Sequence, residues 1–503
     1  MNKFLNGLED ATNYTYTENM AITHKSTKSA LLDMFAMGAA MRSRSDADII
    51  LMWRKAFAEN PIYALKCLFY IRDVRGGQGE RRFFRLCIRD LATQNTEAIV
   101  RNIEYIPEFG RYDDLYVLVD TPAEDAAFAF IKKQLALDLQ CETPSLLAKW
   151  LKSENTSSKE SRRLAGRTRQ YLGMSHKQYR KTLSTLRTRI NVLEKLMSEG
   201  RWDEIEFDKI PSRAGMIYRN AFARHDIERA KSEKNVTTYA DFAKDKTTKV
   251  NAKVLNPVDI ADQIFRKYNP TETERLMWDK YWSCLKDYYN GREENGIAVV
   301  DVSGSMTGQP MNAAVSMGAY IAERGKGPFA NHFITFSGNP QLVKFEGVDI
   351  YDKFVRARSA DWGMNTNIEA TFDLLLNTAL TNNCRQEEVP TTIYIFSDME
   401  FDGCATMGSA STDRYAYGKR ITPGNRDTLF EAIKKKWAAH GYKLPRVIFW
   451  NLNARQENIP AIGEGFSFVS GFSMNMVEQI LSGKDGIDLM LEKLNSNRYS
   501  VIH

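Results

Sequence analysis

Three oxygen-bearing side chains, Asp301, Ser303 and Ser305, occupy alternate positions at the end of an apolar run in IAVVDVSGSM (297–306). Gly304 gives the chain freedom to turn beyond the strand, so that the three can converge. Oxygen donors without His or Cys suit a hard divalent cation such as Mg2+. A second carboxylate, Asp398, follows the strand-like TTIYIFS (391–397), and WGMNTNIEA (362–370) sets Thr366 just ahead of a helix. The expected metal ligands are therefore Asp301, Ser303, Ser305, Thr366 and Asp398. Glu400 and Asp402 of SDMEFD are further carboxylates able to compete as ligands or to repel an anionic partner. A plainer reading is that the strand-end Asp and Ser cap turns and that the threonine caps its helix.

These residues need a scaffold that brings separate loops together. From about residue 291, β-rich runs alternate with helical ones: IAVVDV, NHFITF, LVKFEG, TTIYIFS, RVIFWN and FSFVSG are separated by helical stretches near 309–324, 367–380 and 426–440. That order predicts a mostly parallel, doubly wound α/β sheet, whose ligands bind at the carboxyl ends of the strands. Residues 28–290 have a different periodicity, with apolar residues recurring at three and four, as in SALLDMFAMGAAMRS and ERRFFRLCIRDLATQN. This is an all-α array of amphipathic helices without a fixed-period repeat. The expected domains are 1–290 and 291–503.

The helical part holds the cationic excess. Lys and Arg number 48 against 39 Asp and Glu up to residue 290, and 21 against 24 beyond it, within a net charge of +6. SRRLAGRTRQYLGMSHKQYRKTLSTLRTRINVL (161–193) contains no acidic residue and carries Arg162, Arg163, Arg167, Arg169, Lys177, Arg180, Lys181, Arg187 and Arg189, with His176. Ser175 and Gln178 have the spacing of a capping box, and Tyr179, Leu183, Leu186 and Ile190 form one apolar stripe. Lys177, Arg180, Lys181 and Arg187 then fall on another face, which suits phosphates. The alternative is a solvated face answered by acids elsewhere, such as those of FGRYDDLY (109–116).

Two resemblances extend this reading. Asp-x-Ser-x-Ser, then Thr366, then Asp398 resembles the metal-ion-dependent adhesion site of a von Willebrand factor A domain. The resemblance implies hydroxyl ligation by Ser303, Ser305 and Thr366, with Asp301 and Asp398 acting largely through bound waters. The chain departs from the family in having Gly-Met-Asn-Thr before the helix and Met399 after the last aspartate. LLAKWLKSENTSS, LGMSHKQYRKTLSTLR and EKLMSEGRWDEIEFDKIPSRAG resemble the TROVE module of Ro-type RNA-binding proteins and of bacterial, phage and plant relatives that carry it before a von Willebrand domain. That likeness implies a HEAT-like helical repeat array, a ribonucleoprotein with a small non-coding RNA, and an RNA-contact role for His176. Lys177, Arg180, Lys181 and Arg187, with Arg162, Arg163 and Arg167, complete the expected RNA-binding set.

RDVRGGQGERRFF (72–84) lacks both a preceding strand and a Gly-Lys-Ser/Thr, so it reads as an inter-helix turn, with Arg75, Arg81 and Arg82 as secondary RNA contacts. Six scattered cysteines suggest neither zinc nor disulfides. No run of 18 apolar residues occurs, and a cytoplasmic monomer is expected. The functional expectation is a non-enzymatic RNA-binding scaffold that docks a protein partner, such as a nuclease, through its metal. The alternatives are a metal-dependent protein-interaction module without RNA and, behind it, a metal-dependent phosphodiesterase, which lacks an obvious means of activating water.

Overall fold

The computed structural model describes residues 4, 8–9, 12–190, 193–232, 236–336, 339–358, 366–403 and 427–503. Two short strands near the amino terminus, β1 (Tyr14–Tyr16) and β2 (Ile22–His24), pair antiparallel as a hairpin. The later runs become β3 (Gly296–Asp301), β4 (His332–Phe336), β5 (Gln341–Lys344), β6 (Thr392–Ser397), β7 (Arg446–Asn451) and β8 (Phe466–Ser470). They form one sheet in the order β5-β4-β3-β6-β7-β8, parallel except where the edge strand β5 meets β4. Every residue of β6 is buried, so both sheet faces are covered, as parallel sheets require.

The chain makes two compact units, each assembled from separate segments. One takes Met1–Ala64, Asn256–Asn269 and Asp287–Ser496, and the other Leu65–Leu255, Pro270–Lys286 and Asn497–His503. The division is therefore not a single cut at residue 290. The helix Ala30–Met37 explains part of the exchange. Its Leu31, Leu32, Met34, Phe35, Ala36 and Met37 are all buried, and a helix apolar on nearly every side needs neighbours on every side. It finds them in β7, β8 and the helix Gly486–Leu494. The Ser470 hydroxyl donates to the Phe35 carbonyl at 3.0 Å and accepts from the Ala39 amide at 3.2 Å. Across β3, β4 and β6 lies the helix Gln309–Arg324. It approaches β3 closely at Gly318, where a Cβ would stand 2.4 Å from Val300 Cγ2.

In the other unit the regular elements among the described residues are all helices. Asp114 takes Arg72 Nε and Nη2 at 2.8 and 2.7 Å and Arg85 Nε at 2.7 Å, while Asp113 takes Arg111. The acids of FGRYDDLY thus hold their own unit together and do not answer the 161–193 run. Residues 73–81 form a turn between helices Pro61–Arg72 and Arg82–Gln94. A Cβ on Gly77 would lie 1.9 Å from the Tyr70 carbonyl oxygen, so only glycine fits there. The Asp73 carboxylate accepts from the Arg75 amide, the Arg498 guanidinium and the Tyr499 hydroxyl, which ties the last residues to this turn. No helix among the described residues is long and apolar enough to cross a membrane.

Candidate metal centre and cationic helix

β3 and β6 are neighbours in register, so Asp301 and Ser397 end side by side. The Ser397 hydroxyl donates to Asp301 Oδ2 at 2.5 Å, and the Ser303 amide donates to Oδ1 at 2.9 Å. Ser303 and Ser305 hydroxyls stand 3.1 Å apart across the turn at Gly304. Asp398, fully buried, accepts the Glu400 amide on Oδ1 at 3.2 Å. Among the described residues its Oδ2 has no hydrogen-bond partner, and the Arg455 guanidinium is 3.9 Å away. Burial, then the charge of Asp398, pushes the Asp301 carboxyl up to about 7. Burial likewise raises Asp398, against the Ser305 hydroxyl and the Glu400 amide.

Thr366 is fastened to the loop that follows β6, its carbonyl accepting from the Asp402 amide at 3.1 Å, and the preceding residues 362–365 lie outside the described ones. It does not cap the following helix, because Asn367 does, accepting the Ala370 amide at 3.1 Å. The Thr366 hydroxyl instead donates to Asp402 Oδ1 and accepts from Asn19 Nδ2, both at 2.7 Å. Asp402 is therefore a partner of the threonine. Glu400 faces elsewhere: its oxygens accept from the Glu18 amide at 2.7 Å and from Asn458 Nδ2 at 2.8 Å. Burial, then the charges of Asp398 and Glu18, lifts its carboxyl to about 7 against the hydrogen bond from the Glu18 amide. Met399, where the adhesion-site family has glycine, adopts φ 68° with its side chain buried. The backbone thus keeps a conformation that glycine favours while methionine fills the space.

The donor set of this cluster fits a hard cation. Two buried carboxylates, Asp301 and Asp398, stand at the ends of adjacent strands with the Ser303 and Ser305 hydroxyls beside Asp301, the Thr366 hydroxyl is held on the loop after β6, and one buried carboxylate oxygen lacks a donor among the described residues. Among the described residues no group of three or more His, Cys, Asp or Glu side chains is placed to hold a metal, so a cation here would depend on the serine and threonine hydroxyls. Asn19, Glu18, Ser397 and Arg455 complete the surroundings. Of these, Ser397 adjoins Asp398 in sequence, whereas nothing in the sequence pattern points to Asn19 or Arg455.

The 161–193 run forms two helices, Lys159–Tyr171 and His176–Arg189, the second opened by the Ser175–Gln178 capping box and buried along Tyr179, Leu183 and Leu186. Their cations have different environments. Arg163 pairs with Glu160 and Asp120, Arg167 with Glu124, and Arg169 and His176 with Glu154. Arg162 donates to the Thr156 and Ser157 carbonyls. Arg187 turns inward and donates to the Ala148 and Leu151 carbonyls at 2.9 Å and to Ser153 Oγ at 3.0 Å. Burial pulls its pKa below the usual arginine value. Lys177, Arg180 and Lys181 are exposed, and among the described residues none has an ion pair or hydrogen bond. Beside them lies a groove of about 770 Å3, lined by Lys149, Glu154, His176, Arg180, Arg187 and Glu194 among others.

A family described as "Domain of unknown function (DUF2828)" matches residues 17–138 and 137–287, more than half of the chain. The chain belongs to the DUF2828 family. The DUF2828 match takes in Asn19, the strand β2 that follows it and the cationic helix. A second "Domain of unknown function (DUF7788)" matches residues 295–499, where Asp301, Ser303, Ser305, Thr366 and Asp398 lie. Similar to this DUF2828 chain is an uncharacterized protein of Acanthamoeba polyphaga mimivirus, 31% identical over 512 residues, which cover 94% of this chain and 85% of that one.

Proposed function

We propose that this protein is a non-enzymatic RNA-binding scaffold. A TROVE-type helical module takes the phosphates of a small structured RNA, and a von Willebrand factor A-type unit docks a protein partner through a divalent cation. The observation that carries the reading is the exposed Lys177, Arg180 and Lys181 face, whose charges have no partner among the described residues. Unanswered cations on one helix face suit the phosphate backbone, and each contact releases bound counterions. His176, exposed beside them, adds the contact that the resemblance implies.

For the second unit, the strand order with its single antiparallel edge supports a von Willebrand-type sheet. Ser303, Ser305 and Thr366, with Asp301 and Asp398, would hold Mg2+. Bound there, the ion supplies a Lewis-acidic position for an acidic group of the partner. A gel shift with a small structured RNA tests the first half. Lys177→Glu/Arg180→Glu/Lys181→Glu should abolish the shift, and undiminished binding by that triple variant would overturn the assignment.

The second reading, a metal-dependent interaction module without RNA, is favoured by the ion pairs that Arg163, Arg167 and Arg169 make with Asp120, Glu124, Glu154 and Glu160. It predicts partner capture that depends on Mg2+ and on Asp301 and is indifferent to ribonuclease.

A further inference from the structure

We propose that Asn19 is a positioning residue of the strand-end cation site, an inference that rests on the cation reading above. The hairpin tip that bears it is closed on itself and fastened on both sides. The Thr17 amide donates to the Ala21 carbonyl at 3.0 Å, the Ala21 amide donates to the Thr17 hydroxyl at 2.9 Å, and Met20 turns the corner at φ 69°. The Thr17 hydroxyl donates to the Phe401 carbonyl at 2.6 Å, the Glu18 amide to Glu400 Oε2 at 2.7 Å, and the Gly403 amide to the Asn19 carbonyl at 3.1 Å. With its backbone so held, the Asn19 side chain has one place to go. Its Nδ2 donates both to Thr366 Oγ1 and to the Glu400 carbonyl, each at 2.7 Å. The carbonyl settles which amide atom faces inward, since an oxygen there would oppose another acceptor.

The consequence falls on the threonine. A hydroxyl that accepts from Asn19 and donates to Asp402 cannot rotate, and its hydrogen is directed at Asp402 Oδ1. The oxygen is thereby oriented as a lone-pair donor before any cation arrives. Partners that orient a ligand in this way typically change metal affinity by roughly 10–100-fold when removed. Asn19 acts through Thr366 and does not itself ligate.

Calorimetric titration of the full chain with Mg2+, alongside metal-free melting, tests this. Asp398→Ala should abolish binding. Asn19→Ala should weaken it about tenfold. Asn19→Asp should weaken it as well, because a carboxylate cannot donate to Thr366, even though added negative charge alone would strengthen it. Thr17→Val removes one of the three hairpin fastenings but keeps the Asn19 amide, so it should lower the melting temperature and leave affinity unchanged. If the wild type binds no Mg2+, the cation reading falls and this inference with it. If Asp398→Ala loses binding while both Asn19 variants bind like the wild type, the inference alone falls. Weakening by Thr17→Val equal to that of Asn19→Ala would assign the effect to hairpin docking and overturn the role of the amide.

Discussion

The Ser397 hydroxyl donates to Asp301 Oδ2 at 2.5 Å, joining the carboxyl ends of two neighbouring strands inside a fully buried pair of residues. Ser397→Ala leaves that oxygen without this donor, and a buried acceptor stripped of its partner costs about 1–3 kcal/mol. Urea unfolding should show a lower midpoint with an unchanged slope. An unchanged midpoint would mean that the bond contributes nothing.

Asp398→Asn should separate stability from metal binding. Asparagine keeps the acceptor for the Glu400 amide and removes one of two buried neighbouring charges. Without metal the variant should therefore melt higher, by roughly 2–4 °C for each kcal/mol relieved. Added Mg2+ should stabilise the wild type and leave the variant unmoved. Equal Mg2+ shifts in both proteins would remove Asp398 from the site.

Arg187 and Arg180 sit on one helix but should behave oppositely. Arg187→Ala strips donors from the Ala148 and Leu151 carbonyls and should lower stability by about 1–3 kcal/mol. Arg180→Ala should leave thermal unfolding unchanged. It should weaken RNA binding and flatten its salt dependence by roughly 0.7–0.9 in the log–log slope, the share of one phosphate contact. Loss of stability in Arg180→Ala would show that this side chain has a structural partner.

Glu294 gives a pH signature away from the candidate sites. It receives the Tyr394 hydroxyl at 2.8 and 2.7 Å, and burial raises its carboxyl above the ordinary 4.5. A raised folded-state value means that the protonated form is favoured by folding. Its stabilisation is complete below the unfolded value and is lost as pH rises through the folded one. Glu294→Gln should accordingly be more stable than the wild type at neutral pH, with the difference vanishing below about pH 4.5. A difference independent of pH would place its origin in packing.

The sheet was legible because fully buried parallel strands read as short apolar runs between turns. IAVVDV, NHFITF, TTIYIFS and RVIFWN each match a strand within a residue or two. The capping box at Ser175 was legible for a local reason, since its two residues are three apart and bond to each other's backbone. What stayed hidden is nonlocal. The helix Ala30–Met37 has the helical period, but its all-round apolar character marks a helix enclosed on several sides rather than one in a single-stripe array. A linear count of cations also cannot find Asp120, Glu124 or Glu154, which lie outside the run and neutralise Arg163, Arg167 and Arg169. Asn19 reaches Thr366 across 347 residues with no periodicity to announce it.

The helix Ala30–Met37 also sets an order of events during synthesis. Phe35 meets its hydroxyl donor on Ser470, 435 residues later in the chain, which at about 5–20 residues per second takes a ribosome roughly 20–90 s to reach. Until then Leu31, Leu32, Met34 and Phe35 have emerged without the strands that cover them. The nascent protein therefore carries a greasy segment covered on one side by the helix Asp46–Glu59 and open on the side of the late strands for most of its translation, a natural landing place for a chaperone. Slowing elongation late in the message should increase aggregation more than slowing it early.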